Sequence, residues 1–210
     1  VSAHDTAPGA FRTTRWTLFQ DRDLESIARL YWKPVYLHIR RKGIALEDAR
    51  DLTQDFFARF LERDYAAQAD PSRGRFRSFL RAAVDHFCAD AGDRARALKR
   101  GSGRVIALDV AAAEPLLSTA ETPERAFDRQ WARSILDDAV RELEAEYAAR
   151  GRAESFAAFK PVLAGGTCAD RPGLHRARAR FRELVRGRVA RTVESPSEVD
   201  DELRSLLESL

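Results

Sequence analysis

The sequence predicts an all-α protein built as two small helical domains joined by a flexible linker. Three observations carry that prediction. Apolar residues recur at three-four spacing through almost every segment, the mark of helices with one buried face. A Gly-, Pro- and Ala-rich stretch, residues 101–123, interrupts this period near the middle of the chain. No segment alternates apolar and polar residues as a half-buried strand does. With 210 residues and a hydrophobic share of 44%, there is material for a sizeable core.

After an N-terminal segment, residues 1–22, a first domain is expected over 23–100. Its first helix places Leu24, Ile27, Ala28, Tyr31, Val35 and Ile39 on one stripe and stops at Gly43. Pro34 is expected to kink or divide it, because proline lacks an N–H and clashes with the preceding turn. The second helix turns Ala49, Leu52, Thr53, Phe56, Phe57 and Phe60 inward. A polar loop, "AAQADPSRG", leads to a third helix with Phe76, Phe79, Leu80, Ala83, Val84, Phe87 and Ala91 on its inner face. Three helices with short connections make a bundle.

The linker over 101–123 holds only a brief apolar patch, Val105–Leu108. A second domain, 124–210, then opens with Thr122 as N-cap and Pro123 in the first turn. Its long helix buries Phe127, Trp131, Ile135, Ala139, Leu143 and Tyr147. A shorter one, "SFAAFKPVLAG", is expected to break at Pro161, and "LHRARARFRELVRGRVARTV" follows as a basic amphipathic helix. The last helix begins at "SPSE", Ser195 to Glu198, in the form of a capping box. Val199, Leu203, Leu206, Leu207 and Leu210 give it a narrow apolar seam.

Composition narrows the function. There is no phosphate-binding loop, HExxH motif or nucleophile elbow, so an enzyme is not expected. The four histidines are scattered, and neither a metal nor another cofactor is expected. No apolar run is long enough to span a bilayer, no leader opens the sequence, and its two cysteines suit a reducing compartment. A soluble, cytoplasmic protein without a membrane partner is the expectation. With Val1 first and no methionine anywhere, the true start is expected to be missing.

Net charge is only +3, but it is unevenly spread. Residues 73–103 carry eight lysines and arginines, and residues 171–191 carry eight arginines against one glutamate. Basic stripes on a balanced protein suggest a polyanion, although a solvated Arg/Glu helix face gives the same pattern. On the third helix Arg77 and Arg81 flank the buried stripe on one side; Phe79, His86, Asp90 and Asp93 lie on the other. Arg73, Gly74, Arg75 and Phe76 stand just before it. Cations for phosphates beside aromatic groups for unstacked bases suit single-stranded nucleic acid, while Phe79 and Phe87 fit a plain core helix equally. On the second helix, at about 100° per residue, Glu47, Asp51, Gln54, Ala58 and Glu62 fall opposite the buried stripe. That flat acidic strip suits a basic helical partner, and also a plain solvent face.

The ordered motifs "YWKPVYLHIRRKG", "EDARDLTQDFFARFLER" and "DPSRGRFRSFLRAAVDHFCADAGDRARALKRG" resemble the second conserved region of bacterial extracytoplasmic-function sigma factors. The similarity is greatest to a subgroup with an "RGRFRSFL" loop, a "KRG" ending and a C-terminal extension, and it runs from about Thr13 to the last residues. It implies a sigma region 2-like bundle and a region 4-like second domain. Asp51 and Gln54 match residues that grip the coiled-coil of the largest subunit of core RNA polymerase, with Glu47, Asp48, Asp55 and Ala58 completing the face. "ADPSRGRF" matches the loop that pockets a flipped base of the −10 element. His86 stands where the family usually has Asn, Asp90 where it usually has Asp, and Arg94, Arg96, Lys99 and Arg100 would follow phosphates.

In such proteins the second domain reads the −35 element with a helix-turn-helix. Here only "AGGTCADRPGL" separates the matching flanks, too short and too rich in glycine to supply two helices and a turn. The basic helix, with Arg176, Arg178 and Arg180, is then left as the remnant of a recognition helix. The implied function is promoter recognition and −10 melting, with core polymerase, promoter DNA and an anti-sigma factor as partners. Two alternatives stand beside it: a degenerate sigma that competes for core polymerase, and a general helical nucleic-acid-binding protein.

Overall fold

A computed structural model describes residues 24–62, 75–95, 113, 121–163 and 173–210. Among them are seven α-helices and no strand. They are α1 (Leu24–Arg41), α2 (Leu46–Glu62), α3 (Phe76–Ala95), α4 (Pro123–Ala149), α5 (Ala153–Leu163), α6 (Leu174–Ala190) and α7 (Val199–Glu208). The all-helical class is as expected from periodicity.

α1 is the hub. Its stripe residues Ile27, Tyr31, Val35 and Ile39 are inaccessible to solvent, but so is Tyr36, and Leu37 and His38 are nearly so. A helix buried on several sides needs more than two partners. α2 and α3 cover part of it, and α4 lies along it in the most extensive helix pair of the molecule. The two halves of the chain therefore share one hydrophobic core, in which Phe56, Phe76 and Leu80 belong with Phe127, Trp131 and Ile135. A hydrogen bond crosses between the halves, from Trp131 Nε1 to Tyr31 Oη at 3.1 Å. Packing also accounts for Pro34. The helix runs through it undivided, because burial around Val35–Ile39 outweighs the roughly 3 kcal/mol that an interior proline costs. At its end, Gly43 takes φ +81° and its N–H donates to the Arg40 carbonyl at 3.0 Å.

α4 starts as its sequence dictates: Thr122 is extended, its hydroxyl oxygen accepts from the Arg125 N–H at 3.3 Å, and Pro123 follows. It ends in a left-handed cap at Gly151 (φ +69°), with Arg152 N–H donating to the Tyr147 carbonyl at 2.8 Å. α5 runs through Pro161 unbroken to Leu163, where the described stretch stops. Phe159 and Val162 pack with Leu174 and Ala177 of α6 in a small satellite cluster against Tyr147.

The carboxyl-terminal helix departs from expectation twice. Ser195 makes no cap bond: its hydroxyl pairs with that of Ser197 at 2.8 Å, and Glu198 instead accepts from the Glu194 N–H at 3.0 Å. The apolar seam also splits. Val199 and Leu206 are buried, whereas Leu207 and Leu210 are 69% and 51% exposed, and the third inward position is taken by Glu202. The stretch 164–172, which holds most of the "AGGTCADRPGL" segment, and nearly all of 101–120 lie outside the described residues.

Candidate functional site

The outer face of α2 is the first candidate surface. Glu47, Asp48 and Asp51 are exposed, and Gln54 and Asp55 partly so. Glu47 and Asp48 sit in the first turn, where carboxylates complement the helix dipole. Among the described residues no ion pair is made to Glu47, Asp48, Asp51 or Asp55. The face is therefore uncompensated negative charge on a helix held rigidly from behind by Phe56, Phe57 and Phe60. Ala58 does not belong to it: the residue is 7% exposed and counts with the core. The α2 face is narrower than a helical wheel suggests.

The start of α3 is the second. Phe76 is fully buried, edge-on to Tyr31 at 5.2 Å between centroids, and is a core residue in this arrangement. Phe79 is half-buried and stacks obliquely towards Phe60 and Phe76. Arg77, expected on the strand-facing flank, is 6% exposed. Its guanidinium lies over the Trp131 ring at 4.8 Å, with Nη1 2.9 Å from Asp128 Oδ1 and Nε 2.9 Å from Glu202 Oε1. Arg75 meets the same carboxylate, Nε to Glu202 Oε2 at 2.9 Å, and donates to Ser205 Oγ at 2.8 Å. Periodicity misplaced Arg77 because its partners lie far along the chain, Glu202 at a separation of 125 residues. Burial pushes the Glu202 carboxyl upward, against the pull of both guanidinium groups.

Farther along α3, Arg81 is half-exposed, and His86 and Asp90 stand on the surface. Arg73, Gly74, Arg96, Lys99 and Arg100 lie outside the described residues, as does the Arg94 side chain.

A cluster that sequence reasoning missed fastens α3 to α1. His38 is buried, its ring 6.0 Å from Phe127 and its Nε2 2.7 Å from Asp85 Oδ1; Lys42 Nζ reaches the same oxygen at 2.6 Å. Burial works against the Asp85 charge, but the bonds from Lys42 and His38 outweigh it and hold the carboxyl below its usual range. The same burial pushes the neighbouring Cys88 thiol up, so this cysteine is not activated. Spacing gave no hint of this, since the pair is 47 residues apart.

The basic helix α6 is the third surface. About half of its charge is spoken for. Arg180 forks onto Glu146 at 2.6 and 3.1 Å and reaches Glu183 at 3.1 Å, which holds the Glu146 carboxyl below its ordinary range. Arg188 bridges Asp138 (2.7 Å) and Glu142 (2.6 Å) of α4, and Arg186 meets Asp200. Arg176 and Arg178 point outward with no ion pair among the described residues, and Arg182 donates only to the Arg178 carbonyl. Between α1, α4 and α6 lies a cleft of about 370 Å³ whose walls include Arg29, Asp138, Glu142, Arg180 and Arg188. Arg29 Nε sits 3.1 Å from Asp138, so its charges are largely matched within the wall.

Among the described residues no three His, Cys, Asp or Glu side chains converge as metal ligands, and no described helix is long and apolar enough to cross a membrane. Comparison with protein-family models, with curated proteins and with solved structures finds no match for this chain.

Proposed function

We propose that the chain is a sigma-type factor that binds core RNA polymerase through the outer face of α2 and meets a melted promoter strand along α3. The observation that carries this is the uncompensated acidic face itself. Asp51 and Gln54 stand there together, on the side of "DLTQDFF" turned away from the core. Four carboxylates that make no ion pair among the described residues keep their Coulombic attraction for a basic helical surface. Arg81, His86 and Asp90 form the accessible part of the α3 wall, with Arg176, Arg178 and Arg182 as a separate phosphate-binding ridge. Such a protein acts in the cytoplasm beside polymerase, promoter DNA and an anti-sigma factor, and it is not an enzyme.

A second reading is favoured by one observation: Arg75 and Arg77 are occupied by Glu202 in the free chain. A protein in which that state is permanent is a competitor for core polymerase that does not open promoters. Two measurements decide. Pull-down of core polymerase should succeed for the wild type and fail for the Asp51→Ala/Gln54→Ala double variant, with unchanged helicity because alanine is a good helix former. Run-off transcription from a pre-melted template should then proceed for an initiation factor and be blocked by a competitor. Retention of the double variant on polymerase would sink the assignment of the α2 face.

A further inference from the structure

The start of α3 is closed from outside by the end of the chain. Phe76 N–H donates to the Thr192 carbonyl at 3.3 Å, Arg75 to Ser205, and Glu202 lies fully buried between Arg75 and Arg77. Two features separate this from a permanent core clamp. The pairing is imperfect: Arg77 Nε, Arg77 Nη1 and Glu202 Oε1 are buried at charge-pairing distance yet lack aligned hydrogen bonds. Buried charges without full hydrogen bonding retain much of their desolvation cost. The element supplying the carboxylate is also slight. α7 is a ten-residue helix anchored inward by Val199, Glu202 and Leu206, with Leu207 in solvent. A helix of only ten residues has little stability of its own and depends on these few anchors.

We propose that α7 is an autoinhibitory latch, in which Glu202 holds Arg75 and Arg77 until a single-stranded polyanion takes its place. This rests on the sigma-type reading above, which assigns those arginines to a melted strand. The exchange is anion for anion. A phosphate backbone supplies the charge that Glu202 withdraws, and Asp128, 30% exposed at its side chain, stays with Arg77 on the α4 side.

The test uses the full chain, free and with core polymerase, and a fluorescent single-stranded DNA of about ten nucleotides, within the usual site size. Glu202→Gln keeps the shape and removes the charge. Asp201→Asn, an exposed neighbour paired only with Arg204, controls for charge alone. With Glu202→Gln, affinity for the strand should rise about tenfold, the gain expected if the latched form holds about nine-tenths of the population. Its salt slope should stay close to the wild-type value, because the bound state of both proteins places the same arginines on phosphate. Asp201→Asn should change neither. Hydrogen exchange on the unaltered chain gives a second readout that no folding defect can disturb: added strand should speed exchange in α7 and slow it in the first turn of α3. If the wild type binds the strand, yet Glu202→Gln leaves the affinity unchanged and α7 exchange is unaffected, the latch is wrong and the functional reading stands. If no form binds the strand, even with polymerase, the functional reading fails and the latch with it.

Discussion

Replacing Trp131 with Phe should loosen helices in the amino-terminal half of the chain, because the ring of α4 is built into the core of α1 and α3. Trp131 is fully buried, donates to Tyr31 Oη at 3.1 Å, and carries the Arg77 guanidinium on its face. Phenylalanine leaves the buried Tyr31 hydroxyl without its partner, which costs about 1–3 kcal/mol. The weaker cation–π platform loses about 0.5–1 kcal/mol more. A total of about 1.5–4 kcal/mol follows, and in a chain of this size each kcal/mol lowers Tm by about 2–4 °C. Tyr31→Phe alone strands the indole N–H and should cost a comparable 1–3 kcal/mol or so. The double variant removes both partners, so it should cost less than the sum, with a coupling energy of about 1 kcal/mol. Urea unfolding followed by far-UV circular dichroism gives these energies, and hydrogen exchange shows where they are felt. Amides of α1 and α3 should exchange faster in Trp131→Phe. A coupling energy within about 0.3 kcal/mol of zero, together with unchanged exchange in α1, would refute a core shared between the halves.

Three further outcomes are expected. The Asp85 and Asp138 carboxyls are both held below their usual range, each against the opposing effect of burial: Asp85 by bonds from Lys42 and His38, Asp138 by bonds from Arg188 and Arg141. The stability they contribute is thus present above the ordinary carboxylate range and lost as pH falls through the depressed values; Asp85→Asn should flatten that acid limb, and an unchanged limb would remove Asp85 from the account. Gly151→Ala meets no atom within 4 Å but must hold φ +69°, so it should destabilise by about 1–2 kcal/mol; Gly187→Ala, in equally open space within α6, should stabilise by about 0.5–1 kcal/mol, with thermal melts reading the opposite signs. Arg178→Ala should reduce the salt slope of duplex binding by about 0.9 with no loss of stability, whereas Arg180→Ala should reduce stability by unpairing Glu146, and reversed effects would mean that the roles of these arginines are exchanged.

Helix positions were legible because burial along one helix repeats with the helical period. The Thr122–Pro123 start of α4 and the inward face of α2 follow from local chemistry alone. What periodicity could not show was how many faces a helix buries. Tyr36 and Leu37 lie off the α1 stripe, and it is they that signal a further partner. The same limit applies to Ala58, which a wheel places outside, and to Leu207, which a wheel places inside. The acidic face of α2 could be read from sequence because, among the described residues, no distant cation pairs with it. The start of α3 could not, because its charges are settled by Glu202 and Asp128 from other helices.

That difference bears on what a basic stripe means in this protein. With 36 lysines and arginines against 33 acids, most cations can find a partner within the chain. α6 shows the result: its arginine-rich sequence reads as a nucleic-acid surface, yet Arg180, Arg186 and Arg188 serve as struts to Glu146, Asp200, Asp138 and Glu142. Exposed pairs of this sort contribute little individually, about 0–1 kcal/mol, but they remove charge from any external partner. On the described parts of α6 and α3, Arg176, Arg178, Arg182 and Arg81 are the arginines that remain outside such struts. Counterion release scales with the number of cations that reach phosphate, not with the number in the sequence. The free chain should therefore bind nucleic acid more weakly and with a shallower salt slope than its arginine content implies. Among the described residues, the buried pair joining α3 to α7 is the one whose opening would expose two arginines at once.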